Sequence, residues 1–101
     1  MFLVLWEYEV KPGSEKRFEK AYGPAGDWAQ LFRTDSRYQE TRLLRDPLRL
    51  NVFLTLDFWT SRDSYEEFMA SHKAEYQSID SLAESLTRNE HRLGAYEMVS
   101  P

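Results

Sequence analysis

The chain has no cysteine, two histidines, four glycines and four prolines in 101 residues. Without cysteine there is no disulfide, no thiolate metal ligand and no thiol nucleophile. Small secreted domains usually lean on disulfides, so this lack points to a cytoplasmic location. An excess of one charge is missing too. Thirteen Lys and Arg stand against seventeen Asp and Glu, a formal net charge of −4, with the signs interspersed. A dedicated nucleic-acid binder would carry a basic footprint, so no nucleic-acid partner is expected. There is no long apolar run. The opening Met1-Phe2-Leu3-Val4-Leu5-Trp6-Glu7 lacks a basic leader and is too short for a signal peptide or a membrane span. No membrane partner is expected. His72, His91 and Asp57 have no spacing that suits a metal, so no metal site is expected.

What the chain does have is rings. Phe, Trp and Tyr make up 15% of it, enough to line a pocket or an interface as well as a core. Phe2 to Val10 reads as a strand, with Phe2, Val4, Trp6, Tyr8 and Val10 on one face. Lys11-Pro12-Gly13 is a turn, and Ser14 is placed to cap a helix running to about Tyr22. Gly23-Pro24-Ala25-Gly26 breaks that helix. Asp27 can cap a second, short one that presents Trp28, Leu31 and Phe32. Such a break leaves space beside a sheet, and Tyr22 and Trp28 flank it as mouth residues.

Tyr38 to Arg45 reads as a second strand and Leu50 to Trp59 as a third, apolar on both faces. Thr60 or Asp63 starts the next helix. Tyr65, Phe68, Met69, His72, Tyr76 and Ile79 recur along it at helical spacing, with a bend expected near Asp80. Glu90 to Val99 is the last strand. The order is βαββαβ in a single domain, residues 1–101. That is the α+β, ferredoxin-like arrangement: a four-stranded antiparallel sheet with its helices on one face. One helix layer cannot cover both apolar faces. A second copy packed sheet against sheet, as a homodimer through the open face, is the simplest cover.

Several stretches together carry a family likeness. They are Lys11-Pro12-Gly13-Ser14 followed by Phe18, the hairpin Thr41-Arg42-Leu43-Leu44-Arg45-Asp46, and Phe58-Trp59-Thr60-Ser61 followed by Ser64, Tyr65, Phe68 and Met69. The chain resembles the antibiotic biosynthesis monooxygenase-like (ABM) domains of the dimeric α/β-barrel superfamily, over essentially its whole length. The resemblance implies a small homodimer with a pocket between sheet and helices. It also implies a cofactor-independent monooxygenase acting on phenol- or quinol-type aromatic molecules, with no cofactor. The haem-degrading members differ: they use an asparagine on the first strand, where this chain has Trp6, Glu7 and Tyr8. A non-catalytic small-ligand-binding or structural homodimer is the alternative reading.

The candidate site residues each have a second role open to them. His72 is a catalytic acid or base, since imidazole titrates near neutrality, or else a core histidine. Asp57, a carboxylate on an apolar strand, is a base or an orienter of a histidine. Otherwise it is the partner of Arg42 or Arg45 in a salt bridge. Trp59 stacks on a planar ligand or plugs the strand–helix junction. Trp28, Phe32, Trp6, Tyr38 and Tyr76 line a pocket for a flat hydrophobic molecule or are plain core. Arg92 and His91, adjacent on the last strand, face opposite ways, and one of them could meet an anionic group.

Overall fold

The structure is a computed structural model and describes residues 1–100. Nine elements alternate as the sequence suggests: β1 (Phe2–Val10), α1 (Glu15–Tyr22), α2 (Asp27–Phe32), β2 (Tyr38–Arg45), β3 (Val52–Trp59), α3 (Arg62–Ser71), α4 (Lys73–Ala83), a 3₁₀ turn (Glu84–Leu86) and β4 (Thr87–Glu97). The four strands form one antiparallel sheet in the order β2-β3-β1-β4. The central strands come from the two halves of the chain, so neither half can build the sheet alone. This is the ferredoxin-like α+β fold.

Strand alternation sorts the sheet into two faces. Phe2, Val4, Trp6 and Tyr8 of β1 lie opposite Trp59, Asp57, Thr55 and Phe53 of β3, and these point at the helices. Tyr8, Val10, Phe18, Tyr22, Trp28, Phe32, Phe53, Trp59 and Phe68 are the buried heart of that side. The other face carries Leu3, Leu5, Leu54, Leu56 and Phe58, with no helix over them.

Local chemistry explains most boundaries. Ser61 caps α3: its hydroxyl accepts from Ser64 N at 3.1 Å, and Ser64 Oγ accepts from Ser61 N at 3.2 Å. The cap is therefore neither Thr60 nor Asp63, because only Ser61 has a partner serine three residues on. Gly26, not Asp27, holds the N-cap position of α2. A Cβ at Gly26 would sit 2.3 Å from Ala21 O, so the helix break there needs glycine for close approach, not for a special φ. β3 begins at Val52 rather than Leu50, since Asp46 accepts from the backbone N–H groups of Leu48 and Arg49 and holds residues 46–49 as a turn. The long helical stripe does break, but at His72 rather than near Asp80.

Two strand irregularities matter later. The β2–β3 register slips between Tyr38 and Glu40. The β1–β4 register slips where Leu5 and Trp6 pair with Gly94 and Arg92, leaving Leu93 unpaired. Each is a β-bulge: one extra residue that turns the following side chains to the opposite face.

Candidate functional site

Asp57 has the most unusual surroundings of any ionisable group here. It sits mid-strand on the helix side, between Val4 of β1 and Thr41 of β2. Among the described residues no cation forms an ion pair with it. Arg42 pairs with Glu40 and Arg45 with Glu19. Their guanidiniums lie over the rings of Phe58 and Phe53. The salt-bridge role for Asp57 is thereby removed. Its one hydrogen bond is from Thr41 Oγ1 at 2.6 Å, and Tyr38 Oη lies 2.6 Å from the same hydroxyl. Thr41 has one hydroxyl proton, and an ionised carboxylate cannot donate. Thr41 therefore donates to Asp57, and Tyr38 donates to Thr41. Desolvation raises the Asp57 pKa to about 6, against the downward pull of the Thr41 bond. The residue as a whole is half-buried, while the carboxyl itself is withdrawn from bulk water.

That cavity is walled by Trp6, Tyr8, Thr55 and Asp57 from the sheet and by Tyr22, Trp28, Phe32 and Tyr76 from the helices. The rings touch: Trp28 to Tyr76 at 4.6 Å, Tyr22 to Trp28 at 5.9 Å and Tyr8 to Tyr22 at 4.8 Å between centroids. Burial pushes the Tyr8, Tyr22 and Tyr76 hydroxyls above the usual phenol range, so all three stay neutral at physiological pH. The hollow measures about 20 Å³, room for a water but not for a ring. Admitting an aromatic molecule requires Tyr76 and Trp28 to part. Trp28 Nε1 is buried with no hydrogen-bond partner. It lies near enough to the Tyr22 hydroxyl to temper that group's shift without reaching bonding geometry.

The sequence candidates thus divide. Trp6, Trp28, Phe32, Tyr76 and Asp57 come together around one cavity. Trp59 does not join them. It is fully buried, enclosed by Phe32, Tyr38, Tyr65 and Phe68 at 5.1–5.8 Å, and has no face free for a ligand. Tyr38 packs in that same shell and acts on Asp57 only through Thr41. His72 lies between α3 and α4, off the helix it was expected to ride. Its ring stacks on Phe68 at 4.1 Å and its Nδ1 lies 3.1 Å from Phe68 O, fixing Nδ1–H as the donor tautomer. Nε2 faces Glu75 at 3.9 Å. None of this brings His72 to the cavity. Tyr22, expected at the mouth, and Tyr8 are part of the wall, whereas sequence reasoning passed over Thr41 and Thr55. Thr55 was findable, two residues before Asp57 on one strand face.

Fold and cavity define a class: a small ferredoxin-like domain with an aromatic hollow and one desolvated carboxylate between sheet and helices. The sequence pattern of the family "Antibiotic biosynthesis monooxygenase" matches residues 1–79, and the chain belongs to that family. No curated protein matches it in sequence. Solved structures do match in fold. One is a Nitrosomonas europaea protein provisionally named antibiotic biosynthesis monooxygenase (13% identity, TM-score 0.74, covering 99% of this chain and 100% of that one). Another is a variant of SnoaB, a cofactor-independent oxygenase from Streptomyces nogalater (14%, 0.74, 99% and 94%). A third is PA3566 from Pseudomonas aeruginosa (13%, 0.67, 98% and 94%). At such identities the likeness is one of fold. Among the described residues no helix is long and apolar enough to cross a membrane.

Proposed function

We propose that the protein is a monooxygenase of the cofactor-independent kind, acting on a phenol- or quinol-type aromatic molecule at the Asp57 cavity. The observation that carries this is a single carboxylate, aligned by Thr41 and poised near pH 6, facing a hollow walled otherwise by rings and hydroxyls. Asp57 is the base. A general base works best with a pKa near the working pH, and desolvation supplies that here. It takes the phenolic proton, and the phenolate is electron-rich enough to meet O₂ directly. A ring C–H becomes C=O and one water leaves, so phenol plus O₂ gives quinone plus water. All four electrons taken up by O₂ come from the ring, and no outside reductant enters the balance. Trp6 and Trp28 stack on the substrate, and Tyr76 closes over it.

Oxygen uptake tests this. With naphthols and hydroquinones as substrates, the wild-type chain should consume O₂ and Asp57→Asn should lose at least about a hundredfold in kcat. Binding without uptake would instead assign a ligand-binding protein without catalysis.

The open sheet face supports a homodimer. Leu3, Leu5, Leu54 and Leu56 are only half-buried there, and Leu44 and Tyr96 are exposed. Such a contiguous apolar surface is unusual on a monomer. Sedimentation at micromolar concentration should give a dimer, and Leu5→Glu a monomer. A monomeric wild-type chain would defeat the assignment.

A further inference from the structure

A second hollow, far roomier than the Asp57 cavity, is a groove of about 410 Å³ between α3 and β4. Phe2, Tyr65 and Ala95 give it an apolar bed, with the Phe2 and Tyr65 rings 5.8 Å apart. Arg62, Glu66, Arg92 and Glu97 stand around it. These four charges are not equivalent. Arg62 is held by Glu66 at 2.8 Å, and Glu97 adds to the negative field around it. Arg92 has no ion-pair partner among the described residues.

Arg92 is there because of the β-bulge. Ala95 pairs with Val4 on the helix side of the sheet. Unbroken alternation back from Ala95 would bring Leu93 and His91 to that side and send Arg92 to the other. The register slip at Leu93 reverses this. Arg92 pairs with Trp6 and joins the groove, while His91 pairs with Glu7 on the opposite face. Gly94, at φ 154°, adjoins the slip, a backbone position that favours glycine. Bulges re-aim side chains, often beside functional sites. The groove lies on the same side of the sheet as the Asp57 cavity. Trp6, the ladder partner of Arg92, walls that cavity, and Tyr65 feels the charges of both Arg92 and Asp57.

We infer that this groove is the anchoring subsite for an anionic group, a carboxylate carried by the aromatic substrate, with Arg92 as its partner. The planar guanidinium matches a carboxylate two bonds at a time. The ring keeps its place between Trp6 and Trp28 with its hydroxyl towards Asp57, and the part of the molecule that carries the carboxylate crosses the Trp6 edge to Arg92. The inference rests on the proposed aromatic site for the ring's placement. It adds the charge of the substrate and the residue that selects it.

Calorimetric titration reads this without turnover, using 6-hydroxy-2-naphthoate, whose carboxylate and hydroxyl stand at opposite ends of the ring, against 2-naphthol. The wild-type chain should bind the acid at least about tenfold more tightly. Arg92→Gln should erase that preference and leave naphthol affinity unchanged, and Arg92→Lys should keep part of it. Arg62→Gln should leave the preference within about twofold, since Glu66 already occupies that guanidinium. Equal affinities in the wild type, or a preference that survives Arg92→Gln or vanishes with Arg62→Gln, would overturn the assignment of Arg92. If neither compound binds, the aromatic site fails along with it. Binding without preference removes the anionic subsite alone.

Discussion

Trp59 and Asp57 are two residues apart on the same strand face, yet the regions around them are built to opposite ends. Around Trp59, four rings close at 5.1–5.8 Å and leave no gap. Around Asp57, rings of the same kinds stop short and leave a small hollow with a carboxylate in its wall. Nothing in the composition separates the two regions. The difference lies in what crosses from the helices. α3 brings Phe68 and Tyr65 down onto Trp59. Over Asp57 the cover comes from α2 and α4, whose start points are set by the glycine break and by His72. One end of the helix layer is sealed, and the other leaves a hollow.

That contrast can be broken at either end. The largest effect should come from Trp59→Ala, which removes the centre of the sealed shell. It should cost about 3–5 kcal/mol, read by urea unfolding, with any residual turnover at low temperature retaining the pH dependence of the wild type. A loss below about 1 kcal/mol would mean the shell is not the keystone.

Asp57→Asn should work in the reverse sense. The folded carboxyl holds its proton up to about pH 6, against 3.8 for a free aspartate. Its contribution to stability is therefore fully present below pH 3.8 and is lost as pH rises through about 6. Removing the charge should stabilise the fold at pH 8 by up to about 3 kcal/mol. The gain should vanish near pH 4. A variant that is inactive and less stable at pH 8 would contradict this environment for the carboxylate.

Thr41→Val sharpens the comparison by touching only the alignment of Asp57. The lost hydrogen bond favours the ionised form, so the midpoint of kcat/KM against pH should move up from about 6 by about one unit. Tyr38→Phe, one bond further out, should move it less. The carboxyl carbon shift of Asp57 in NMR gives the same answer without substrate. The smallest effect is expected from His72→Ala. It removes a stacking contact worth about 0.5–1.5 kcal/mol but no cavity wall, so turnover should hold within about twofold. A large loss there would return the base to His72.

The fold was largely legible because period-2 and period-3.6 patterns survive in single sequences. The apolar alternation of β1, the two-sided β3 and the glycine break each left such a trace. Trp59 was visible as a strand-ending ring with two roles open, ligand platform or plug, since its burial comes in part from residues up to 27 positions away in sequence, Phe32 among them. Thr41 was obscured, and which of Arg92 and His91 faces the helices stayed open, for one shared reason. Each stands beyond a one-residue bulge, and alternation read straight through a bulge assigns every later side chain to the wrong face. In β2 the slip sets Tyr38 and Thr41 side by side on the helix side, although they are three residues apart. Without it the chain of hydroxyls behind Asp57 would not exist.

The tryptophans divide along the same line, with a spectroscopic consequence. Trp59 is sealed in a ring shell with its indole N–H unbonded, so its emission should be that of an indole in hydrocarbon: blue, and shielded from quenchers in solution. Trp6 and Trp28 wall the cavity, and their emission answers to whatever occupies it. One chromophore therefore reports whether the chain is folded, and the other two report on the hollow they wall, all within a single unlabelled protein.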